Sequence, residues 1–74
     1  MYSVDVIELK KAMVEAGFTN NLALAKAANI SRNTLTRILK GQTKPSLDAM
    51  YAIAEVLKLK PQKAGEIFFN DSVA

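Results

Sequence analysis

The chain has 74 residues, half of them hydrophobic, which predicts a single small domain with a modest core. It contains no cysteine and no histidine, which excludes disulfides and thiolate metal sites and removes the commonest general base. The net charge is only +3 at pH 7, and no apolar run approaches the about 18–20 residues of a membrane span.

The first predicted helix covers residues 4–16. Gly17 is expected to end it, and Phe18 is expected to plug the core from the following loop. Apolar residues at helical spacing predict a buried stripe of Val6, Leu9, Met13 and Ala16. Ile7 and Val14 are expected to widen this stripe.

A second helix is predicted over about residues 21–28, with Thr19 or Asn20 as its cap. Asn29 is expected to end it in the left-handed conformation, which asparagine tolerates well, and Ile30 is expected to anchor the turn to the core. The inward residues are Leu24 and Ala28, and the small Ala25 permits close approach of a neighbouring helix.

A third helix is predicted over residues 32–40, between the cap Ser31 and the terminating Gly41. At about 100° per residue its side chains separate into two faces. The apolar face carries Leu35, Ile38 and Leu39, and the opposite, polar and cationic face carries Arg32, Asn33, Thr36, Arg37 and Lys40. The polar face of such a helix can enter a DNA groove while its apolar face packs on the protein core.

A loop over residues 41–45 leads to Ser46, which is expected to cap a fourth helix. We expect this helix to be the most buried, with a stripe of Leu47, Met50, Ile53, Ala54 and Leu57. A short fifth helix is predicted over residues 61–68, burying Ala64, Ile67 and Phe68, although Gly65 disfavours it. The predicted domain covers residues 1–68, and residues 69–74 are expected to form a short flexible tail.

The charges are unevenly distributed along the chain. No acidic residue stands between Glu15 and Asp48, and five cations fill that interval: Lys26, Arg32, Arg37, Lys40 and Lys44. This pattern favours a surface that binds a polyanion, and an ordinary solvated basic face explains it equally well. The aromatic residues do not cluster with these cations, which argues against a stacking platform for single strands; Phe68 is assigned to the core and Phe69 to its edge.

The chain resembles the phage-repressor and Cro type of helix-turn-helix domain, the XRE-like group. The resemblance covers about residues 6–68 and implies an all-α, compact, five-helix, lambda-repressor-like fold. It is carried by Leu24-Ala25, Asn29-Ile30-Ser31, Leu35, Ile38, Gly41, Lys44-Pro45-Ser46-Leu47 and Ala54-x-x-Leu57-x-Leu59. Two positions depart from the family pattern. Asn29 replaces the usual glycine of the turn, and Met13 and Leu39 replace the Arg and Glu that several phage repressors pair.

The resemblance implies that the third helix lies in the major groove of double-stranded DNA. It implies base contacts at Arg32, Asn33, Thr36 and Arg37, and phosphate contacts at Asn20 or Asn21 and at Gln42, Thr43 and Lys44. The charge of Lys40 predicts a further phosphate contact. Arg32 and Arg37 could contact phosphate instead of bases. Ser31 is expected to cap the third helix rather than to contact DNA. Asn21 is expected either to act as a cap or to contact phosphate.

The leading hypothesis is a transcriptional regulator, a small Cro-like repressor of phage or mobile-element type. One domain makes few contacts, so two copies are expected on a pseudo-palindromic operator with half-sites about 34 Å apart. Regulation is then expected to depend on the concentration of the protein rather than on an effector. The alternative hypothesis is the antitoxin of an addiction pair, which binds a protein partner with the same fold. We expect no enzyme, cofactor, metal or small-molecule ligand. The start of the chain lacks a secretion signal, which predicts a cytoplasmic protein without membrane contact.

Overall fold

The structure, a computed structural model, describes residues 3–70, so the expectations for residues 71–74 lie outside the described residues. Five helices follow in order: α1 (Val6–Glu15), α2 (Asn21–Ala28), α3 (Arg32–Leu39), α4 (Leu47–Val56) and α5 (Pro61–Phe68). The predicted all-α fold with five helices is confirmed. Helices α1, α2, α3 and α5 begin and end within two residues of their predicted bounds, and α4 begins directly after its predicted cap, Ser46. None of these helices has the length and apolarity required to span a membrane.

Side-chain caps fix where the first four helices begin. They are supplied by Asp5, Asn20, Ser31 and Ser46. The caps predicted at Ser31 and Ser46 are confirmed, and Asn20 rather than Thr19 caps α2, accepting the N–H of Ala23 at 2.8 Å. Because Asp5 accepts the N–H of Glu8 at 3.1 Å, α1 begins two residues later than predicted.

Each of the same four helices is followed within two residues by a residue with positive φ, namely Gly17, Asn29, Gly41 and Lys58. Asn29 has φ 57° and ψ 43°, which confirms the predicted left-handed turn between α2 and α3. Its N–H donates to Lys26 at 3.2 Å, and the N–H of Ile30 donates to Ala25 at 3.0 Å. This pair of hydrogen bonds satisfies carbonyls that the end of α2 leaves open and sets the direction in which α3 departs.

Replacing Asn29 by valine is expected to lower the free energy of unfolding by about 1–2 kcal/mol, because a β-branched side chain disfavours the left-handed backbone. Replacing Asn29 by glycine, the matched control, is expected to leave that free energy unchanged or slightly raised. Urea unfolding followed by circular dichroism measures both. Equal unfolding midpoints for Asn29→Val and the wild type would contradict the left-handed turn.

The core is formed by apolar residues of all five helices, and residues 3–70 bury no polar or charged side chain. Helix α3 packs against α1 and α2, α2 packs on α4, and α5 closes the bundle against α1 and α4. Phe18 and Ile30 pack against this core from the two loops, as predicted. Met13 and Leu39 are both buried in it, so an apolar cluster occupies the place where the resemblance suggests an ion pair.

Three apolar residues lie outside the core against expectation. Ile7 and Val14 are 70% and 73% exposed because they lie about 140–160° around α1 from Leu9, on the face that no other helix covers. Leu47 is 61% exposed because it starts α4 and lies about 120° around it from Ile53. The prediction of an inward stripe was therefore wrong at these positions.

Two smaller expectations also fail. Ala16 is exposed because it caps the end of α1, where the chain leaves the core, and Ala12 is buried in its place. Helix α4 is not the most buried helix. Its Tyr51 is 72% exposed, and α4 buries three residues over ten positions whereas α3 buries three over eight.

The two ends of the described chain are joined by what we call the terminal clasp, residues 3–5 paired with residues 67–70. Ser3 and Asn70 exchange two backbone hydrogen bonds of 2.9 Å, and the N–H of Asp5 donates to the carbonyl of Ile67 at 2.7 Å. The Asn70 side chain donates to the Asp5 carboxylate at 3.2 Å. Asn70, which the sequence places in the tail, is thus bonded to the start of the described chain. The domain boundary at residue 68 and the flexible tail stay predictions.

Candidate nucleic-acid interface

The start of α3 is built by a reciprocal contact between two hydroxyl residues. Ser31 accepts the backbone N–H of Thr34 at 3.0 Å and donates its own hydroxyl to the Thr34 hydroxyl at 2.7 Å. Both residues are exposed. Thr34 is not among the site residues predicted from the sequence. The Ser-x-x-Thr spacing at a helix start is the signal that identifies it.

Helix α3 is divided sharply between a buried and an exposed side. Leu35 and Ile38 have no exposed surface and Leu39 is 6% exposed, so the apolar side is fixed against α1 and α2. Four of the five polar candidates are exposed: Arg32, Asn33, Arg37 and Lys40. Thr36 is half-buried, which leaves its side chain less accessible than its neighbours.

The arginines of α3 have no acidic partner among the described residues. Among residues 3–70, neither Arg32 nor Arg37 forms an ion pair or a side-chain hydrogen bond. The ion pairs of the described chain both involve Glu8, with Lys11 at 3.7 Å and Lys63 at 3.5 Å, on α1 and α5. Because α3 and the loop after it contain no acidic residue, their positive charge remains available to an external anion.

The candidates from α2 and from the end of α3 meet at one depression. It is lined by polar residues of both helices, among them Asn20, Asn21, Thr36 and Lys40. The side-chain oxygen of Asn20 is occupied by capping, so its amide NH₂ is the group left to donate. Asn21 is the first residue of α2, where backbone N–H groups lack helical partners. The depression therefore presents hydrogen-bond donors and two cations, Lys40 and Lys10 of α1.

The loop candidates lie at a neighbouring depression, lined by Gly41, Gln42, Thr43 and Lys44 together with Ser3 and Val4 of the terminal clasp. Gln42 and Lys44 are exposed and Thr43 is half-buried. The Lys44 ammonium lies 5.5 Å from the centre of the Phe69 ring, within the range of a cation–π contact. The two depressions are adjacent because Lys40 lines the first and Gly41 the second.

The two depressions do not include Arg32 and Asn33, which stand at the opposite end of α3. An eight-residue helix is about 12 Å long, so the candidates spread over that length rather than forming one cluster. The exposed face is thus elongated, cationic and rich in side chains that donate hydrogen bonds.

A family model described as helix-turn-helix matches residues 9–63, a range that begins in α1, ends in α5 and includes all of α2, the Asn29 turn and α3. No curated protein and no solved structure matches the chain significantly.

Proposed function

The chain belongs to the helix-turn-helix family of DNA-binding transcriptional regulators, of the Cro/repressor or XRE type, and from this we propose that it reads operator DNA with α3 in the major groove. The observation that carries the proposal is the division of α3: Leu35 and Ile38 are fully buried, while Arg32 and Arg37 are exposed and have no side-chain partner among residues 3–70. Because the core already fixes the backbone of α3, its exposed side chains can contact bases with little further loss of backbone conformational entropy.

We assign the base contacts to four side chains on chemical grounds. The Arg37 guanidinium suits the O6 and N7 acceptors of guanine, and the Asn33 amide suits the N6 and N7 atoms of adenine. Thr36 offers a methyl group to thymine from its half-buried position. Arg32 stands at the start of α3, the end of a recognition helix that contacts base edges.

The phosphate contacts are assigned to the rims of the two depressions. Asn20 and Asn21 offer amide groups and the start of α2, while Lys40 and Lys44 add charge. Gln42 and Thr43 complete the loop between these cations. Contacts of this kind fix the position of the protein on the duplex without reading its sequence.

We propose that two copies bind a pseudo-palindromic operator and that the protein acts as a small repressor of phage or mobile-element type. The length of α3, about 12 Å, limits one copy to a few base pairs, which supports binding in pairs. Selection of bound duplexes from a random pool tests the proposal. A palindromic consensus is expected, whereas retention of all duplexes alike would contradict sequence-specific reading.

Lys44→Ala is expected to weaken binding to every duplex alike and to reduce the salt slope of log K by about 0.9, since one phosphate contact is lost. Titrations of the selected duplex at several salt concentrations measure this slope. Lys11→Ala is the matched control, because it removes the same charge from α1, where Lys11 lies 3.7 Å from Glu8. Equal slopes for the two variants would contradict a phosphate contact at Lys44.

A further inference from the structure

Helix α1 borders the depression between the start of α2 and the end of α3, and Lys10 is the polar residue that α1 adds to its lining. Lys10 is exposed and precedes Met13 by three residues and Val14 by four, and both of these also line the depression. Residues at these spacings are neighbours on one side of a helix. Because Met13 is buried in the core, that side of α1 is fixed against the depression, with Lys10 at its rim.

The charges at this depression are all positive. Lys10 lines it from α1 and Lys40 from the end of α3, and none of the described residues that line it is acidic. Within residues 3–70 neither lysine forms an ion pair, since the two ion pairs there belong to Lys11 and Lys63. Two like charges at one concavity raise its positive potential, so an anion bound between them is strongly favoured.

The floor of the depression offers these lysines no counter-charge. Met13 and Leu39 line it and are both buried, at the positions where the resemblance suggests an Arg and a Glu. Helix α3 therefore provides no carboxylate for Lys10. On the side of α2 stand further donors, namely the amide NH₂ of Asn20 and the open backbone N–H groups that begin at Asn21. The depression thus suits an anion that accepts several hydrogen bonds.

The position of the depression identifies that anion. Thr36, one of the residues assigned to base contacts, lines it, and Lys40 follows Thr36 by one turn. The depression therefore flanks the face of α3 that is assigned to the base edges. A duplex that presents base edges to this face brings its own phosphates to the flanks of the helix, because the two backbones form the walls of the major groove.

We propose that Lys10 and Lys40 bind one backbone phosphate between them, so that α1 is part of the DNA interface. The inference rests on the proposed function and adds to it a residue from outside the pair α2 and α3. Helix α1 packs directly against α3. A phosphate held by both helices therefore fixes the angle at which α3 enters the groove, which is the positioning role of backbone contacts.

The first test replaces Lys10 by glutamine, with Lys11→Gln as the matched control. The two lysines are exposed neighbours on α1, but Lys11 lies 3.7 Å from Glu8 and does not line the depression. Titration of the selected duplex at low salt is expected to show about two- to fivefold weaker binding for Lys10→Gln only, the usual effect of one exposed charge contact. The difference should shrink as salt is added. Equal affinities of the two variants would overturn the proposal.

The second test locates the phosphate. Methylphosphonate linkages, which lack the negative charge, replace the phosphates of the selected duplex one at a time. At one position the replacement is expected to weaken binding of the wild type more than that of Lys10→Gln, because the variant has already lost part of that contact. The same position is expected for Lys40→Gln. Different positions for the two variants would overturn the shared phosphate.

The same scan separates the failure of this inference from the failure of the proposed function. Sensitivity of the wild type that Lys10→Gln retains in full at every position overturns the role of Lys10 alone. A wild type that selects no duplex, or that tolerates every methylphosphonate, overturns the proposed function together with this inference. Urea unfolding of Lys10→Gln is expected to match that of the wild type, because Lys10 is exposed and has no partner within residues 3–70.

Discussion

Replacing Leu35 by alanine is expected to lower the free energy of unfolding by about 2–5 kcal/mol. Leu35 has no exposed surface and lies on the side of α3 that packs against α1 and α2, so truncation leaves a cavity beneath the proposed recognition helix. A domain of this size has a total stability of roughly 5 kcal/mol, so the variant should keep about 0–3 kcal/mol and unfold at a much lower urea concentration than the wild type. Urea unfolding followed by circular dichroism measures the change.

Leu22→Ala is the matched control for this prediction, because it makes the same chemical change at a leucine of α2 that is 42% exposed. Its expected loss is about 1 kcal/mol or less, since surface substitutions rarely exceed that value. Equal losses in the two variants would show that Leu35 does not hold α3 to the core. DNA binding of Leu35→Ala should fall in proportion to its unfolded fraction.

Arg37→Ala is expected to cost about 1–3 kcal/mol of binding free energy on the selected duplex and to relax discrimination at one base position. Arg37 is exposed and has no internal partner within residues 3–70, so its removal should leave the free energy of unfolding nearly unchanged. Titration against the selected duplex and against variants with one altered base pair measures both quantities. The effect on binding then reports the contact itself.

Arg37→Lys separates a base contact from a phosphate contact. Lysine keeps the positive charge but lacks the planar fork that bridges two acceptors of guanine, so it should satisfy a phosphate and fail at the base. We therefore expect Arg37→Lys to lose the same discrimination as Arg37→Ala while retaining the salt dependence of the wild type. Uniform weakening across all duplexes would reassign Arg37 to the phosphate backbone.

Helix bounds were predictable because local signals set them. Ser31 and Ser46 accept hydrogen bonds from residues three positions later, and Gly41 takes a left-handed conformation two residues after the end of α3. Such interactions lie within one turn of the chain and are readable from spacing alone. Helix α5 likewise starts at Pro61 and continues through Gly65, whose unfavourable propensity the burial of Ile67 and Phe68 outweighs.

Which face of a helix is buried was predictable only where the sequence pattern contains a single apolar face. Helix α3 has one apolar and one polar side, so its orientation followed from the sequence. Helix α1 carries two apolar faces, and only the contact with α3 and α5 decides that Leu9 turns inward and Val14 outward. Periodicity cannot rank two overlapping stripes, because their burial depends on residues distant along the chain.

The candidate site was predictable in its residue types and not in their surroundings. The sequence offers Thr19 and Asn20 as alternative caps of α2 and does not decide that the Asn20 oxygen is the one occupied. It does not reveal that Thr34 is bonded to Ser31. The hydrogen bond between Asp5 and Asn70 joins residues 65 positions apart, a distance at which no short-range pattern operates.

The terminal clasp has a practical consequence for labelling. Because Ser3 and Asn70 are bonded to each other, and Ser3 lines the same depression as Gln42 and Lys44, the two ends of the described chain emerge beside the loop assigned to phosphate. A fluorophore coupled near either end would sense the arrival of the duplex directly. A bulky affinity tag in the same place would hinder that arrival, so binding constants should be measured after its removal.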